Sequence, residues 1–546
     1  MADAPSEVMI PVRDGTRLQS FVHLPNGSDP FPSLMVRCMY GTEGVDGSVR
    51  KFVDKGYAVL AQNVRGRHKS EGGLTGRGDF PEDGFDTIEW MTGQAWCNGK
   101  VGTFGSSALA RVQTATALLA HPSHRAMCPQ VLPYGMFSRL GGSFMLHQIP
   151  MWLLFAQSGA ELRDVDAVDW QYHLGTLPVS GILDDLGGPI DMFRDVVTNP
   201  HREYMSLAEP ASISRLKTPN LMVTGWYDHC GTGAIDFFTD TMTHGTENQK
   251  RNTHLVVGPW DHSCDPEVIP DYDFGPEAKQ EHHAAEVAFF ARHLKGDLGD
   301  TSPPPVRIFV MGKNVWRDED NWPLDRAVET KVYLHSEGDV SGSWTPGSLS
   351  MQPPGDEPSD RFDYDPLDPV PTWGGANSAP ARVLPMRRGP RNQQITLYRK
   401  DVLTYYGDPL EEPLEVTGPL KLVLFAASTA ADTDFTAKLM DVAPDGNARL
   451  LSDGVVRARF RNGLEAPQLL TPNDPVRYEI DLWSTSNEFQ PGHRIALAIS
   501  NSNFPRLSRN LNTGGDNERD SDSVVANQTI FHDAVRPSHL LLPIVR

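Results

Sequence analysis

A serine that follows a short apolar run has the surroundings of a catalytic nucleophile. The run at residues 101–104 leads into Gly105, Ser106 and Ser107, and a helix-compatible stretch comes next. A nucleophilic serine on a tight strand-to-helix turn keeps its hydroxyl exposed, and a glycine two residues earlier leaves room for the crowded backbone. Ser107 has that glycine, and Ser106 does not. The amide of Ala108 would then lie at a helix N-terminus, where free N–H groups stabilise an oxyanion.

An orienting acid and a base for this serine occur downstream at two further strand ends. Asp228 comes just after the apolar run at 221–223, and His262 comes just after the run at 255–257. Ser, Asp and His follow one another in the chain order of the α/β-hydrolases. Because the carboxyl ends of parallel strands open on one edge of a sheet, we expect the three side chains to converge there. We expect the neighbouring His229 and Asp261 to point elsewhere.

The elements that would position these residues are short strands alternating with helices. Apolar, β-rich runs recur through the first half and are followed by helix-like stretches, which predicts an α/β domain with a parallel sheet. The step between the runs that begin at Ala126 and Leu221 is too long for one crossover. Apolar-rich, helix-like stretches fill it, so we predict a helical cap at 135–214, inserted into a hydrolase domain formed by 1–134 and 215–330.

The texture changes again at residues 338–358, where 12 of 21 residues are Gly, Pro or Ser. Beyond this segment, strand-like runs alternate with turn signals such as Pro444-Asp445-Gly446-Asn447. No helix-length amphipathic segment interrupts them. We therefore predict that residues 331–546 form an all-β jelly-roll domain in which two sheets bury their inner faces.

Composition and charge exclude several classes of protein. The 546 residues are 39% hydrophobic, enough for the large core of a folded, multidomain chain. The net charge of −21 would repel a phosphate backbone or an anionic membrane surface. Five dispersed cysteines indicate neither a disulfide framework nor a thiolate zinc site. The first residues carry no signal-peptide pattern. We expect a soluble, cytoplasmic protein that binds neither nucleic acid nor membrane.

From Met9 to Pro543 the chain carries motifs that resemble those of one hydrolase family. In chain order they include Arg65-Gly66 with Ser70-Glu71-Gly72, Trp96-Cys97-Asn98-Gly99-Lys100-Val101-Gly102, Gly225-Trp226-Tyr227-Asp228, Gly258-Pro259-Trp260 with His262, Asp432-Thr433-Asp434-Phe435 and Asn503-Phe504-Pro505-Arg506. The chain is similar to the cocaine esterases, a group that also includes X-Pro dipeptidyl-peptidases, α-amino acid ester hydrolases and glutaryl-cephalosporin acylases.

The resemblance implies a nucleophile at Ser107, an orienting acid at Asp228 and a base at His262, the three residues chosen above. It further implies that the hydroxyl of Tyr40 completes the oxyanion hole with the Ala108 amide. The family's elbow usually has Tyr and Gly where this chain has Ala108 and Ala110. These replacements leave the backbone amide in place but alter the shape of the pocket.

The resemblance also suggests residues around the substrate. The loop Arg67-His68-Lys69 is more basic than expected for the family, so His68 would favour an acidic substrate if this loop borders the pocket. The cap residues Met145, Trp152 and Phe155 would wall an acyl or leaving-group pocket. The acidic pair with which the amino acid ester hydrolases hold an ammonium group is replaced by Cys230 and Gly231. Recognition of a free α-amino group is therefore disfavoured.

Three functions follow, of which a serine esterase that works through an acyl-enzyme is the first. The second keeps the triad and cleaves an amide bond, as an acylase does. The third is an inactive hydrolase fold that acts as a binding protein. For the enzyme we predict a small-molecule ester or amide substrate, no metal and no organic cofactor. The sequence leaves a homodimer open.

Overall fold

The computed structural model describes residues 5–28, 30–73, 81–135, 138–159, 161–201, 213–264, 272–279, 281–297, 303–377 and 386–546. Within these ranges, no helix combines the length and the apolar composition needed to cross a bilayer. All five cysteines are buried as free thiols.

A ten-stranded sheet forms the first half of the molecule, in the order β1-β2-β4-β3-β5-β6-β9-β10-β11-β12. Its strands from β4 to β11 in that order are parallel, and the antiparallel β1, β2 and β12 lie at its edges. The strands are β1 (Ser6–Pro11), β2 (Arg17–His23), β3 (Phe31–Cys38), β4 (Ala58–Asn63), β5 (Cys97–Ser106), β6 (His124–Gln130), β9 (Asn220–Gly225), β10 (Thr253–Gly258), β11 (Val306–Val310) and β12 (Val315–Glu319).

Helices connect the parallel strands and cover the sheet. They are α1 (Asp46–Val53), α2 (Pro81–Thr92), α3 (Ala108–Ala117), α7 (Gly231–His244), α8 (Glu247–Arg251) and α9 (Glu281–Phe290). Every residue of β4, β9 and β10 is buried, as expected for strands covered on both faces. The α/β-hydrolase architecture predicted from the sequence is confirmed.

The predicted cap is helical in its main part and begins with a short hairpin. It contains β7 (Arg139–Leu140), β8 (Ser143–Phe144), α4 (Gln148–Gln157), α5 (Trp170–Gly175) and α6 (Ile190–Thr198). The prediction of helix at Phe144 is wrong, because Gly141 and Gly142 adopt positive φ and form the hairpin turn. The prediction of helix from Val165 is also wrong. The Asp169 side chain accepts a hydrogen bond from the Tyr172 amide and caps a helix that starts at Trp170.

The C-terminal domain is β-rich, as predicted. Its strands are β13 (Ala327–His335), β14 (Gly342–Ser350), β15 (Asp360–Tyr364), β16 (Leu403–Tyr406), β17 (Leu414–Ser428), β18 (Asp434–Val442), β19 (Ala448–Arg457), β20 (Val476–Phe489), β21 (Arg494–Ser500), β22 (Ala526–Phe531) and β23 (His539–Val545). One short helix, α10 (Gln394–Leu397), is described among them.

These strands form one continuous hydrogen-bonded path of eleven, whereas the sequence analysis expected two sheets. The link is β14, which lies inside the Gly-, Pro- and Ser-rich segment. It pairs with β13 on one side and with β16 on the other, and its register shifts between Gly342 and Gly347. A bulge of this kind bends a strand, so β14 can serve both halves of the sandwich. β13 also spans residue 331, and the predicted domain boundaries stay predictions.

Candidate active site

Ser107 lies on a strained turn between β5 and α3. Its φ of 59° and ψ of −123° fall where residues other than glycine are rare. The Ser107 amide donates to the Gln130 carbonyl at 2.9 Å, and its carbonyl accepts from the Arg111 amide at 3.1 Å. A Cβ at Gly105 would lie 2.7 Å from the Leu109 Cβ. The turn therefore needs the glycine that the sequence analysis singled out, and strand and helix together hold the serine.

Asp228 and His262 are in direct contact at the same edge of the sheet. Asp228 Oδ1 accepts a hydrogen bond from His262 Nδ1 at 2.7 Å. The carboxylate is fully buried, and it also accepts from Thr224 Oγ1 at 2.9 Å and from the Cys230 amide at 3.0 Å. With its oxygens held by donors, Asp228 fixes one orientation of the imidazole. Nδ1 carries the proton in this arrangement, and Nε2 is left as the acceptor.

The loops that carry Asp228 and His262 are tied to each other by backbone hydrogen bonds. The Trp226 amide donates to the Gly258 carbonyl at 2.9 Å, and the Tyr227 amide donates to the Trp260 carbonyl at 3.0 Å. A Cβ at Gly225 would lie 2.1 Å from the Trp260 carbonyl oxygen. Only glycine permits this approach, so the close spacing of acid and base depends on the end of β9.

Ser107 lies on the same carboxyl edge, with β6 between its strand and β9. Ser107 and His262 are both half-buried. Among the hydrogen bonds of the described residues, none joins the Ser107 hydroxyl to His262. Such contacts in ligand-free enzymes are often long and tighten when substrate binds. The structure thus gives the acid–base contact directly and puts the serine on the edge where the predicted triad requires it.

Tyr40 packs beside the N-terminus of α3. It contacts a buried cluster of Met39, Val64, Ala108 and Val112. Its hydroxyl accepts a hydrogen bond from Trp152 Nε1 at 2.9 Å, and its ring stacks on Phe155 at a centroid distance of 5.7 Å. Burial raises the pKa of Tyr40 to about 12. A neutral tyrosine hydroxyl next to the Ala108 amide suits the predicted oxyanion hole.

The predicted pocket residues fall into two groups. Trp152 and Phe155 contact Tyr40, and His68 packs against the adjacent Gly41, where a Cβ would lie 2.9 Å from His68 Nε2. Met145 and Cys230 instead line a small cavity of about 40 Å³ on the other side of the site.

That small cavity also contains two residues that the sequence analysis did not select. His229 and Trp483 line it, and Trp483 comes from β20 of the C-terminal domain. The His229 ring lies 4.1 Å from the His262 ring, and burial lowers the pKa of His229 well below its ordinary value. His229 is therefore a neutral support for the base. No local pattern in the sequence indicates that Trp483 reaches this site.

Asp261, the other neighbour of the predicted residues, turns away from the site. Its carboxylate is fully buried and forms an ion pair with Arg388 Nε at 3.1 Å. It also accepts from the Ser263 amide at 2.8 Å. These contacts give Asp261 a structural role and leave Asp228 as the partner of His262.

One group of side chains here could hold a metal ion. The ligand atoms of Asp228, His229, Cys230 and His262 lie within 4.8 Å of one another. However, Asp228 and His262 are already bonded to each other, and burial raises the pKa of the Cys230 thiol well above its ordinary value. A protonated thiol is a poor metal ligand. The arrangement suits acid–base chemistry better, and the absence of a metal requirement stays a prediction.

Family models match almost the whole chain. Residues 14–264 match the X-Pro dipeptidyl-peptidase (S15 family) model. Residues 299–541 match the model of the X-Pro dipeptidyl-peptidase C-terminal non-catalytic domain. The three candidate catalytic residues all lie in the first match.

A curated relative and two solved structures are similar along the full length. The chain is 35% identical over 580 residues to cocaine esterase from Rhodococcus sp. (strain MB1 Bresler), covering 99% of this chain and 98% of the relative. An α-amino acid ester hydrolase structure matches with a TM-score of 0.86 at 25% identity, covering 99% of this chain and 96% of the other. An aminopeptidase from a Thaumarchaeota archaeon matches with a TM-score of 0.89 at 23% identity and the same coverages, which shows a shared fold.

Proposed function

The chain belongs to the cocaine esterase family of serine ester hydrolases, and we propose that it cleaves a small-molecule carboxylic ester through an acyl-enzyme on Ser107. The observation that carries the proposal is the 2.7 Å hydrogen bond between the buried Asp228 carboxylate and His262, on the same edge of the sheet as the strained Ser107. A carboxylate that orients an imidazole beside an exposed serine is the arrangement that acyl transfer requires.

In the first half of the reaction, His262 Nε2 takes the Ser107 proton while Oγ attacks the ester carbonyl carbon. Asp228 holds the imidazolium that forms and stays ionised. The negative charge moves onto the carbonyl oxygen, where the Tyr40 hydroxyl and the Ala108 amide donate hydrogen bonds to it. When the tetrahedral intermediate collapses, the bond to the alcohol oxygen breaks and His262 returns the proton to that oxygen. The acyl group remains on Ser107.

In the second half, water takes the place of the serine hydroxyl. His262 accepts a proton from the water, the resulting hydroxide attacks the acyl carbon, and the same two donors stabilise the oxyanion. Collapse breaks the bond to Ser107 Oγ, which recovers its proton from His262. The carboxylic acid leaves, and the resting state is restored.

The two alanines of the elbow are compatible with this chemistry. Ala108 and Ala110 are fully buried in α3, a helix with every residue buried. The replacement of larger or smaller side chains there changes packing and pocket shape, while the first amide of the helix stays available because such amides lack an intrahelical partner.

The test is covalent labelling with a fluorophosphonate, followed by intact-mass measurement. We expect one adduct on the parent chain and none on Ser107→Ala. Ser106→Ala is the matched control, since Ser106 is the exposed neighbour on the same turn, and it should label like the parent. Ser107→Ala should also lose activity on 4-nitrophenyl esters by about 10⁴-fold or more, with its unfolding midpoint unchanged.

Paired substrates separate the two reaction classes. An ester and an anilide with the same acyl group should differ strongly in favour of the ester. A preference for the anilide would make the chain an acylase with the same triad. A folded parent that neither labels nor hydrolyses either substrate would overturn catalysis and support the binding protein.

A further inference from the structure

Arg67 is a buried cation without a carboxylate partner. It lies in the loop after β4, and its side chain is fully buried. Its Nη1 donates to the Gly159 carbonyl at 2.7 Å. Among the residues that the structure describes, Nε and Nη2 have no hydrogen-bond partner. These two nitrogens share one edge of the guanidinium group, the edge that binds a carboxylate through two parallel hydrogen bonds.

This edge belongs to the neighbourhood of the candidate oxyanion hole. Gly159 lies just beyond α4, the helix whose Trp152 and Phe155 contact Tyr40. On the other side, His68 follows Arg67 and packs against Gly41, the residue next to Tyr40. Electrostatic attraction between Arg67 and Tyr40 is part of what sets the pKa of Arg67. Loop, cap helix and oxyanion hole thus meet around one guanidinium group.

The charges that face Arg67 do not neutralise it at close range. Glu161 acts on it electrostatically, but its carboxylate bonds to His68 Nδ1 at 3.2 Å and its side chain is 74% exposed. Cys38 and Tyr40 are the other groups that interact with it, and both are neutral because burial raises the pKa of each. A buried charge without a close partner is costly, so an anion that pairs with Arg67 gains the interaction that the chain itself does not supply.

We propose that Arg67 binds a carboxylate of the substrate, so that the enzyme prefers esters that carry a second, ionised carboxyl group. The proposal rests on the ester hydrolysis proposed above and names its substrate class. A carboxylate that accepts from Nε and Nη2 satisfies both unpartnered donors in one step. Because these nitrogens are closed to solvent, the pair forms with little competition from water. Arg67 then selects the substrate by binding, and the Ser107 chemistry is unchanged.

The first measurement compares isosteric substrates on the parent enzyme. The acyl-side probes are the monoethyl esters of succinic, glutaric and adipic acids, each beside the ethyl ester in which a carboxamide replaces the free carboxylate. The leaving-group probes are 3- and 4-carboxyphenyl butyrate beside the corresponding carbamoylphenyl butyrates. We expect kcat/KM to favour the carboxylate by about 10- to 100-fold in at least one of these pairs, mainly through KM.

The second measurement removes the cation. Arg67→Met keeps a long apolar side chain and should abolish the preference for the carboxylate probe while the carboxamide ester is still hydrolysed. Lys69→Met is the matched control, because it removes the same charge from the same loop at a side chain that is 69% exposed and bonded to Glu7. Lys69→Met should keep the parent's preference. Arg67→Lys should restore part of it, since a point charge lacks the paired donors.

The outcomes separate this proposal from the one on which it rests. If the parent hydrolyses carboxamide and carboxylate esters equally in every pair, Arg67 does not select an anion and the inference is wrong, while the esterase proposal stands. Loss of preference in Lys69→Met as well as in Arg67→Met would also overturn it, because loop charge in general would then be the cause. If Arg67→Met does not fold, the comparison on the parent decides alone. If no ester is hydrolysed, the proposed function itself has failed.

Discussion

At the scale of single residues, the environment of Tyr40 explains how a hydroxyl can serve an oxyanion hole. Trp152 Nε1 donates to the Tyr40 oxygen, so the Tyr40 proton is free to be donated to a substrate oxygen. A hydroxyl that accepts one hydrogen bond is polarised and donates a stronger one. The ring is held by its stacking on Phe155. Two cap residues therefore orient the group that the Ala108 amide needs as a partner.

Tyr40→Phe should lower kcat by about 10²- to 10³-fold with a small effect on KM, because the lost hydrogen bond is strongest in the transition state. Trp152→Phe, which removes only the donor to Tyr40, should cost less. Steady-state kinetics on one ester would measure both. Equal losses in the two variants would argue that Tyr40 acts only through packing.

The pH dependence follows from the direction of the Tyr40 shift. Burial raises the pKa of Tyr40 to about 12, so the protonated, donating form persists above the ordinary tyrosine range. We expect no loss of kcat from this group between about pH 8 and pH 10.5, where an ordinary tyrosine, with a pKa of about 10, would ionise. A decline with a midpoint near pH 10 in the parent that disappears in Tyr40→Phe would contradict this assignment.

At the scale of elements, the site depends on the close approach of the loops after β9 and β10. Two backbone hydrogen bonds join these loops, and Gly225 allows the contact with the Trp260 carbonyl. Asp228 and His262 sit on the two loops, so their 2.7 Å contact is a consequence of how the loops meet. The glycine at the end of β9 is thus a positioning element for the acid and the base.

Gly225→Ala should destabilise the fold by about 1–3 kcal/mol, because the added methyl group collides with backbone that cannot move without displacing the loop. Activity should fall further than occupancy of the folded state explains. Gly47→Ala is the control, since Gly47 lies in α1 with nothing near its Cβ position. That change should be neutral or stabilise by up to about 1 kcal/mol. Chemical denaturation and kcat on the folded fraction would test both, and parent-like values for Gly225→Ala would refute the argument.

At the scale of the whole molecule, the β-rich domain supports the catalytic loops of the hydrolase domain. Arg388 forms an ion pair with the buried Asp261, the residue before His262. The Tyr227 hydroxyl donates to the Leu450 carbonyl at 3.1 Å, beside Asp228. Trp483 reaches the cavity behind His229. The acid and the base each have a neighbour in the chain that is anchored to the C-terminal domain.

Arg388→Gln should weaken the fold and the activity together, because it leaves the Asp261 carboxylate buried without its cation. We expect a loss of about 1–3 kcal/mol in unfolding free energy and a lower kcat. Arg387→Gln removes the same charge at the exposed preceding position and should change neither. Thermal unfolding and steady-state rates would measure the difference, and identical behaviour of the two variants would show that the domain contact does not support the site.

Local patterns in the sequence were sufficient for the features that depend on neighbours along the chain. Ser107, Asp228 and His262 could be located because each follows a short apolar strand, and the ends of parallel strands share one edge by geometry. The α/β half and the β half could be separated because helix and strand periodicities differ. The strand β14 was missed because Gly and Pro usually mark loops, and only pairing on both sides made the segment a strand.

The tertiary structure alone decided what surrounds these residues. Arg67 reads in the sequence as part of an exposed basic loop, and the packing of the cap helix buries it beside Tyr40. Trp483 reaches the site from a strand far along the chain. Burial and side-chain partners depend on contacts between distant segments, and no local pattern encodes them. The chemistry could therefore be inferred from sequence, whereas the preference for an anionic substrate follows only from the fold.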